Sequence, residues 1–260
     1  MSEETKQHPG CGRSYVVCGA AGGQGTTLVA ELLYEALREG GTPAKLAGVH
    51  FTEDECRSHI AMLYPEALDV KISLMAVREN GLTLLGQMDE IDDVMAAADP
   101  AVIDLGSGFA DLFSIWARET CGTELVPRPM DVLLVARPQE HALQAALRML
   151  PQLEEARGRF GAGRTALVLN GLQEEFEDMP SFRTLCAVSE RDGIPLVALD
   201  TFDPMLINQG WSIGALRRSD VDQVVAAGSG DVARMRAFDM TRAWISRSTA
   251  ALRAAGVGPA

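Results

Sequence analysis

The sequence predicts a single doubly wound, mostly parallel α/β sheet with helices on both faces. Three observations predict it. Short, continuously apolar runs recur along the 260 residues, and runs that do not alternate with polar residues are strands covered on both faces. Helical patterns stand between them, a rhythm that favours parallel pairing. The first apolar run leads into a glycine-rich turn and then directly into a helix, the context in which such a turn binds an anion.

The elements follow in order. Residues 1–13 are polar, contain Pro9 and Gly10, and read as a flexible tail without a signal peptide. The α/β domain is expected over residues 14–230. Its strands are Tyr15–Cys18, Ala44–His50, Ala101–Leu105, Val132–Ala136, Ala166–Leu169 and Pro195–Leu199, each an apolar run. Helical spacing places helices at Leu28–Arg38, which reads as amphipathic, and at Met88–Ala98, Phe109–Arg118, Glu140–Glu155 and Phe182–Arg191. Within residues 53–86, Asp69–Ser73 and Leu82–Leu85 are candidate short strands. Residues 231–260 carry one long helix, Asp231–Ala255, packed on the domain or on a partner. Its Met235, Phe238 and Trp244 side is a candidate dimer contact.

Composition narrows the function. At 47% apolar the chain supports a sizeable core. A net charge of −13 and a pI near 4.8 oppose non-specific nucleic-acid binding by the whole surface. Contact with nucleic acid would need a local arginine patch, for which Arg217, Arg218, Arg234, Arg236, Arg242 and Arg247 are the candidates; arginines solvated on helices are the ordinary alternative. The five cysteines form no C-x-x-C pair, which argues against a disulfide framework or structural zinc and fits a reducing cytoplasm. No apolar run approaches the ~20 residues that span a bilayer.

The informative segment is Gly19-Ala20-Ala21-Gly22-Gly23-Gln24-Gly25-Thr26-Thr27. Its glycines let backbone N–H groups approach a phosphate, and the helix that follows adds a partial positive charge. A side chain at Gly23 would block that approach. Gly22, Gly23, Gln24, Gly25, Thr26 and Thr27 are the expected nucleotide contacts. Thr27 can offer its hydroxyl to Mg²⁺, whereas Thr26 cannot offer an ammonium to the β- and γ-phosphates. Asp104 ends an apolar strand before Gly106 and Gly108, where a carboxylate can hold Mg²⁺ through water; a turn or helix-cap aspartate is the plain alternative. Asn170, at another strand end, can read a base edge or simply form an Asn-Gly turn. His50 ends the second strand.

In the order of these features the chain resembles the ParA/MinD superfamily of deviant-Walker P-loop ATPases. The resemblance rests on Ala21 to Thr27, Asp104 to Gly108, Asp131 to Val135, Val168 to Asn170 and Ile194 to Leu199, and covers most of residues 14–205. Within the superfamily, Met88–Trp116 is most similar to plasmid-stability and conjugation proteins of the StbB/TraL kind. The resemblance implies ATP with Mg²⁺ as cofactor and protein partners. It also implies departures. Ala21 stands where the family has the lysine that reaches across a dimer, and Thr26 where it has the lysine that grips the phosphates. His50-Phe51-Thr52 stands where the family places a water-activating aspartate. Hydrolysis is therefore expected to be weak or absent, and any dimer not driven by ATP. Two other readings use the same residues. Gly19-x-x-Gly22-x-x-Gly25 is also the spacing of an NAD(P)-binding Rossmann protein of the short-chain-reductase-like type, although the acidic ribose-binding residue and a Tyr-x-x-x-Lys pair are missing. A nucleotide-free pseudo-ATPase scaffold would keep the fold alone.

Overall fold

The structure, a computed structural model, describes residues 13–19, 21–52, 56–73, 75, 91, 94–95, 97, 99–106, 108–120, 130–157, 163–200, 205–226 and 232–257. Among these residues seven strands form one all-parallel sheet: β1 (Ser14–Gly19), β2 (Lys45–Phe51), β3 (Leu68–Ile72), β4 (Ala101–Leu105), β5 (Met130–Ala136), β6 (Thr165–Asn170) and β7 (Leu196–Leu199). Their order is β3-β2-β4-β1-β5-β6-β7. The helices are α1 (Thr26–Glu39), α2 (His59–Leu63), α3 (Phe109–Thr120), α4 (Glu140–Arg157), α5 (Gln173–Glu177), α6 (Pro180–Asp192), α7 (Met205–Asn208), α8 (Ile213–Arg218), α9 (Val221–Ala226) and α10 (Val232–Ala254).

Alternation along each strand divides the core into two layers. On β1, Val16 and Cys18 face Phe109 and Phe113 of α3, Leu143 and Leu150 of α4 and Leu185 of α6. Tyr15 and Val17 face Val29 and Leu32 of α1, Ile60 of α2, Leu216 of α8 and Trp244 of α10. Each such large apolar side chain, fully buried, contributes roughly 1.5–3 kcal/mol. The chain leaves β1 toward β2 on one side and leaves β4 toward β5 on the other. Their carboxyl ends therefore open a crevice, the place where ligands bind in open α/β sheets.

Several expectations shift on this frame. The strand expected at Asp69–Ser73 runs Leu68–Ile72. The strand expected at Leu82–Leu85 lies outside the described residues. So does most of the Met88–Ala98 helix, of which Ile91, Val94 and Met95 are helical and buried. Helix α1 has the amphipathic pattern expected of it, yet Val29 through Leu37 are all buried, Glu31 and Glu35 included, because α8 and α10 cover the face that the sheet does not. Arg13 donates two hydrogen bonds to Asp131, at 3.0 and 2.9 Å, tying the residue before β1 to β5. On α10, Phe238 and Trp244 are core residues, so they are not available as a dimer contact; Val232, Met235 and Met240 are the exposed apolar positions. Among the described residues no helix is long and apolar enough to cross a membrane.

Candidate functional site

The glycine loop joins β1 to α1 beside the carboxyl end of β4. Gly25 is the N-cap of α1 in the left-handed region, with φ +89°, and Gly23 has φ +71°. The loop is held from three directions by one side chain and its own backbone. Gln24, buried, donates Nε2 to the Gly22 carbonyl (2.9 Å) and accepts the backbone N–H of Arg137, just past β5, on Oε1 (2.7 Å). Its carbonyl accepts Nδ2 of Asn170 from the end of β6 (2.9 Å). Gln24 and Asn170 therefore brace the loop against β5 and β6. This bracing stands beside the phosphate contact and the base-edge reading expected of them.

The two glycines constrain substitution differently. A Cβ at Gly25 would lie 2.3 Å from Asn170 Nδ2, while one at Gly23 would meet nothing within 4 Å. At Gly23 only backbone strain opposes a side chain. At Gly25 strain and collision act together. Gly25→Ala is therefore expected to destabilise the protein by about 1–3 kcal/mol and to displace Asn170 from the loop. Thermal melting of Gly25→Ala beside Gly23→Ala checks this, and equal melting temperatures would contradict it.

Thr27, in the first turn of α1, donates Oγ1 to Oδ2 of Asp104 at 2.7 Å. Asp104 is buried, and its other oxygen, Oδ1, has no hydrogen-bond partner among the described residues. Burial pushes its carboxyl up to about 6, against hydrogen bonds from Thr27 and Thr26 and the nearby His59, which pull it down. A buried carboxylate oxygen without a donor, next to a threonine hydroxyl at a helix N-terminus, fits a hard cation with oxygen ligands. Thr27 and Asp104 are the residues that would hold Mg²⁺. Thr26 fills the lysine position with a short side chain, whose Cγ2 lies 3.1 Å from where a Cβ on Gly19 would be.

A pocket of about 530 Å³ opens beside the loop. Ala21, Gly23 and Gln24 to Leu28 line one side, and His59, Leu63, Ile207 and Asn208 lie on α2 and α7, with Glu31 also in the wall. Glu31 was not legible as a site residue. It accepts the Tyr64 hydroxyl (3.1 Å) and the backbone N–H of Ile213 (2.7 Å) on Oε2. Burial, first, and the neighbouring carboxylates Asp104 and Glu35 raise its carboxyl, these hydrogen bonds lower it, and the balance stands at about 8. Burial thus favours the neutral acid at this position.

Other sequence candidates lie elsewhere. His50 Nε2 stands 3.3 Å from Asp69 Oδ1 and does not line the pocket. Phe51 stacks on Phe109 with ring centroids 3.9 Å apart. Cys18 is buried beneath the loop, and burial pushes its thiol up to about 12. Five of the six arginine candidates are engaged within the chain, Arg234 through a hydrogen bond to Gln209 Oε1. Arg217 pairs with Glu39, Arg218 with Glu35 (3.1 Å) and Arg247 with Asp200 (2.8 Å), and the Arg242 guanidinium lies over the Phe238 ring.

No family model matches the chain, and no curated protein matches it. Solved structures do. A ParA family ATPase from Chlorobium tepidum aligns with a TM-score of 0.49 and 15% identity, over 91% of this chain and 98% of that one. The MinD cell division protein of Aquifex aeolicus gives 0.46 and 14%, over 89% and 97%. A nucleotide-binding protein in complex with ADP from Archaeoglobus fulgidus gives 0.46 and 13%, over 80% and 88%. These are likenesses of fold at low identity and with TM-scores under 0.5, and they assign no role to any residue described above.

Proposed function

We propose that this chain is a nucleotide-binding regulatory protein of degenerate ParA/MinD-like type, with weak or absent ATP hydrolysis, acting through protein partners in a partition, conjugation or positioning process. The observation that carries the reading is the Thr27–Asp104 hydrogen bond of 2.7 Å at the junction of the glycine loop and α1. It keeps a cation-binding pair beside backbone donors suited to phosphate. ATP with Mg²⁺ is the proposed ligand; bound there, the cation would offset phosphate charge. The loop supplies no ammonium, because Ala21 and Thr26 occupy both lysine positions. Electrostatic stabilisation dominates phosphoryl transfer, so its loss removes turnover before it removes binding.

Calorimetry of the protein against ATP, ADP, GTP, NAD and NADP, with and without Mg²⁺, tests the reading. The expected result is Mg²⁺-dependent binding of a nucleoside di- or triphosphate, with no turnover and no ATP-induced dimer by light scattering. Preference for NAD(P) without Mg²⁺ would favour a dinucleotide-binding protein instead. Thr26→Lys restores a charged donor at the phosphates. Hydrogen bonds to charged groups contribute ~1.5–3 kcal/mol, so affinity for ATP should rise roughly ten- to hundredfold. No binding by either the wild type or Thr26→Lys would overturn the reading and leave a scaffold.

A further inference from the structure

We propose that His59 is the side-chain donor to the phosphates of the bound nucleotide, in the role that the loop's missing lysines leave open; the inference rests on the nucleotide-binding reading above. Two walls of the pocket converge on it. One is the loop from Gly23 to Thr27, and the other is the first turn of α2, where His59 is the leading residue. The backbone there is fixed. Ser58 caps α2 by accepting the Ala61 N–H (3.3 Å), and its own N–H donates to Asp69 Oδ1 (2.9 Å). The His59 side chain itself is exposed and lines the cavity.

Charge singles it out. Among the described residues lining this pocket there is no lysine or arginine, and the ionisable side chains are Glu31 and His59. Glu31 is turned to Tyr64 and Ile213. His59 and Thr27 line the same pocket, so a polyphosphate seated on the loop lies within a cavity that both side chains border. A polyphosphate seated on the loop brings several negative charges toward Asp104. Backbone N–H groups and the start of α1 answer part of that charge. Imidazole adds a ring N–H donor in its neutral form and two when protonated, so the contact does not require the charged state.

The test compares wild type, His59→Ala and His59→Lys by calorimetry with ATP, inorganic triphosphate and adenosine, in Mg²⁺. His59→Ala should weaken ATP and triphosphate about tenfold, in line with the loss of one hydrogen bond to an ionised acceptor. It should leave any adenosine affinity unchanged. His59→Lys should restore or exceed wild-type affinity. Because His59 is exposed, both variants should melt like the wild type, and His59→Gln, which keeps an N–H donor, provides a second measurement if the alanine variant does not. Equal ATP affinity in wild type and His59→Ala, with nucleotide binding intact, would overturn the inference alone. Absence of ATP binding by the wild type would overturn it together with the functional reading.

Discussion

A chain ending at residue 231 is expected not to fold. The segment removed is α10, whose Phe238, Trp244, Ile245 and Leu252 are buried in the layer that also holds α1 and β7. Trp244 also donates its indole N–H to the Asp200 carbonyl at 2.6 Å, fastening the helix beyond the end of β7. Truncating one large core side chain typically costs about 2–5 kcal/mol. Four are lost at once, against a total stability of about 5–15 kcal/mol. Circular dichroism and thermal melting of the shortened chain check the point. A cooperatively melting monomer would show that α10 is an appendage. The graded version is Trp244→Ala, expected to destabilise by about 3–5 kcal/mol.

The same helix shows why the sequence conveys some features and hides others. Strands β1, β4, β5 and β6 are legible because both faces of each are covered, so burial writes itself as unbroken apolar runs such as Val132 to Ala136. Strand β3 is an edge, and Asp69 and Lys71 alternate with its apolar residues, which blurs the signal. Helices α2, α5, α7, α8 and α9 have four to six residues each. That is under two turns, too short for a 3.6-residue period to register. On α1, Glu31 and Glu35 look like a solvent face. Their burial depends on α8 and α10, which are remote in the chain.

The site divides along the same line. The loop, Thr27 and Asp104 are legible because strand ends and glycines are local signals. The bracing by Gln24 and Asn170 joins residues 146 apart, and the Glu31 bond to Ile213 joins residues 182 apart. No local pattern encodes either. His59 is invisible for a related reason. It leads a five-residue helix, and only the fold brings that helix opposite the glycine loop.

Glu31→Gln is expected to stabilise the protein at pH 8 and to flatten its pH dependence. In the unfolded chain this carboxyl loses its proton near 4.5, and in the folded protein it keeps it to about 8. Between those values the folded state holds a proton that the unfolded state does not. Stability contributed by the neutral acid is therefore complete below pH 4.5 and is lost progressively as pH rises toward 8. At ~1.4 kcal/mol for each pH unit the loss amounts to several kcal/mol across the window. Glutamine is neutral throughout, and its Oε1 can still accept the Tyr64 hydroxyl and the Ile213 N–H. The two proteins should melt alike near pH 4.5–5, and Glu31→Gln should melt higher at pH 8, by on the order of 5–10 °C. Asp104 titrates inside the same window, so the difference between the two proteins, rather than either curve alone, isolates Glu31. Parallel pH profiles would show that Glu31 ionises inside the fold at no cost, and would require water or a cation beside it.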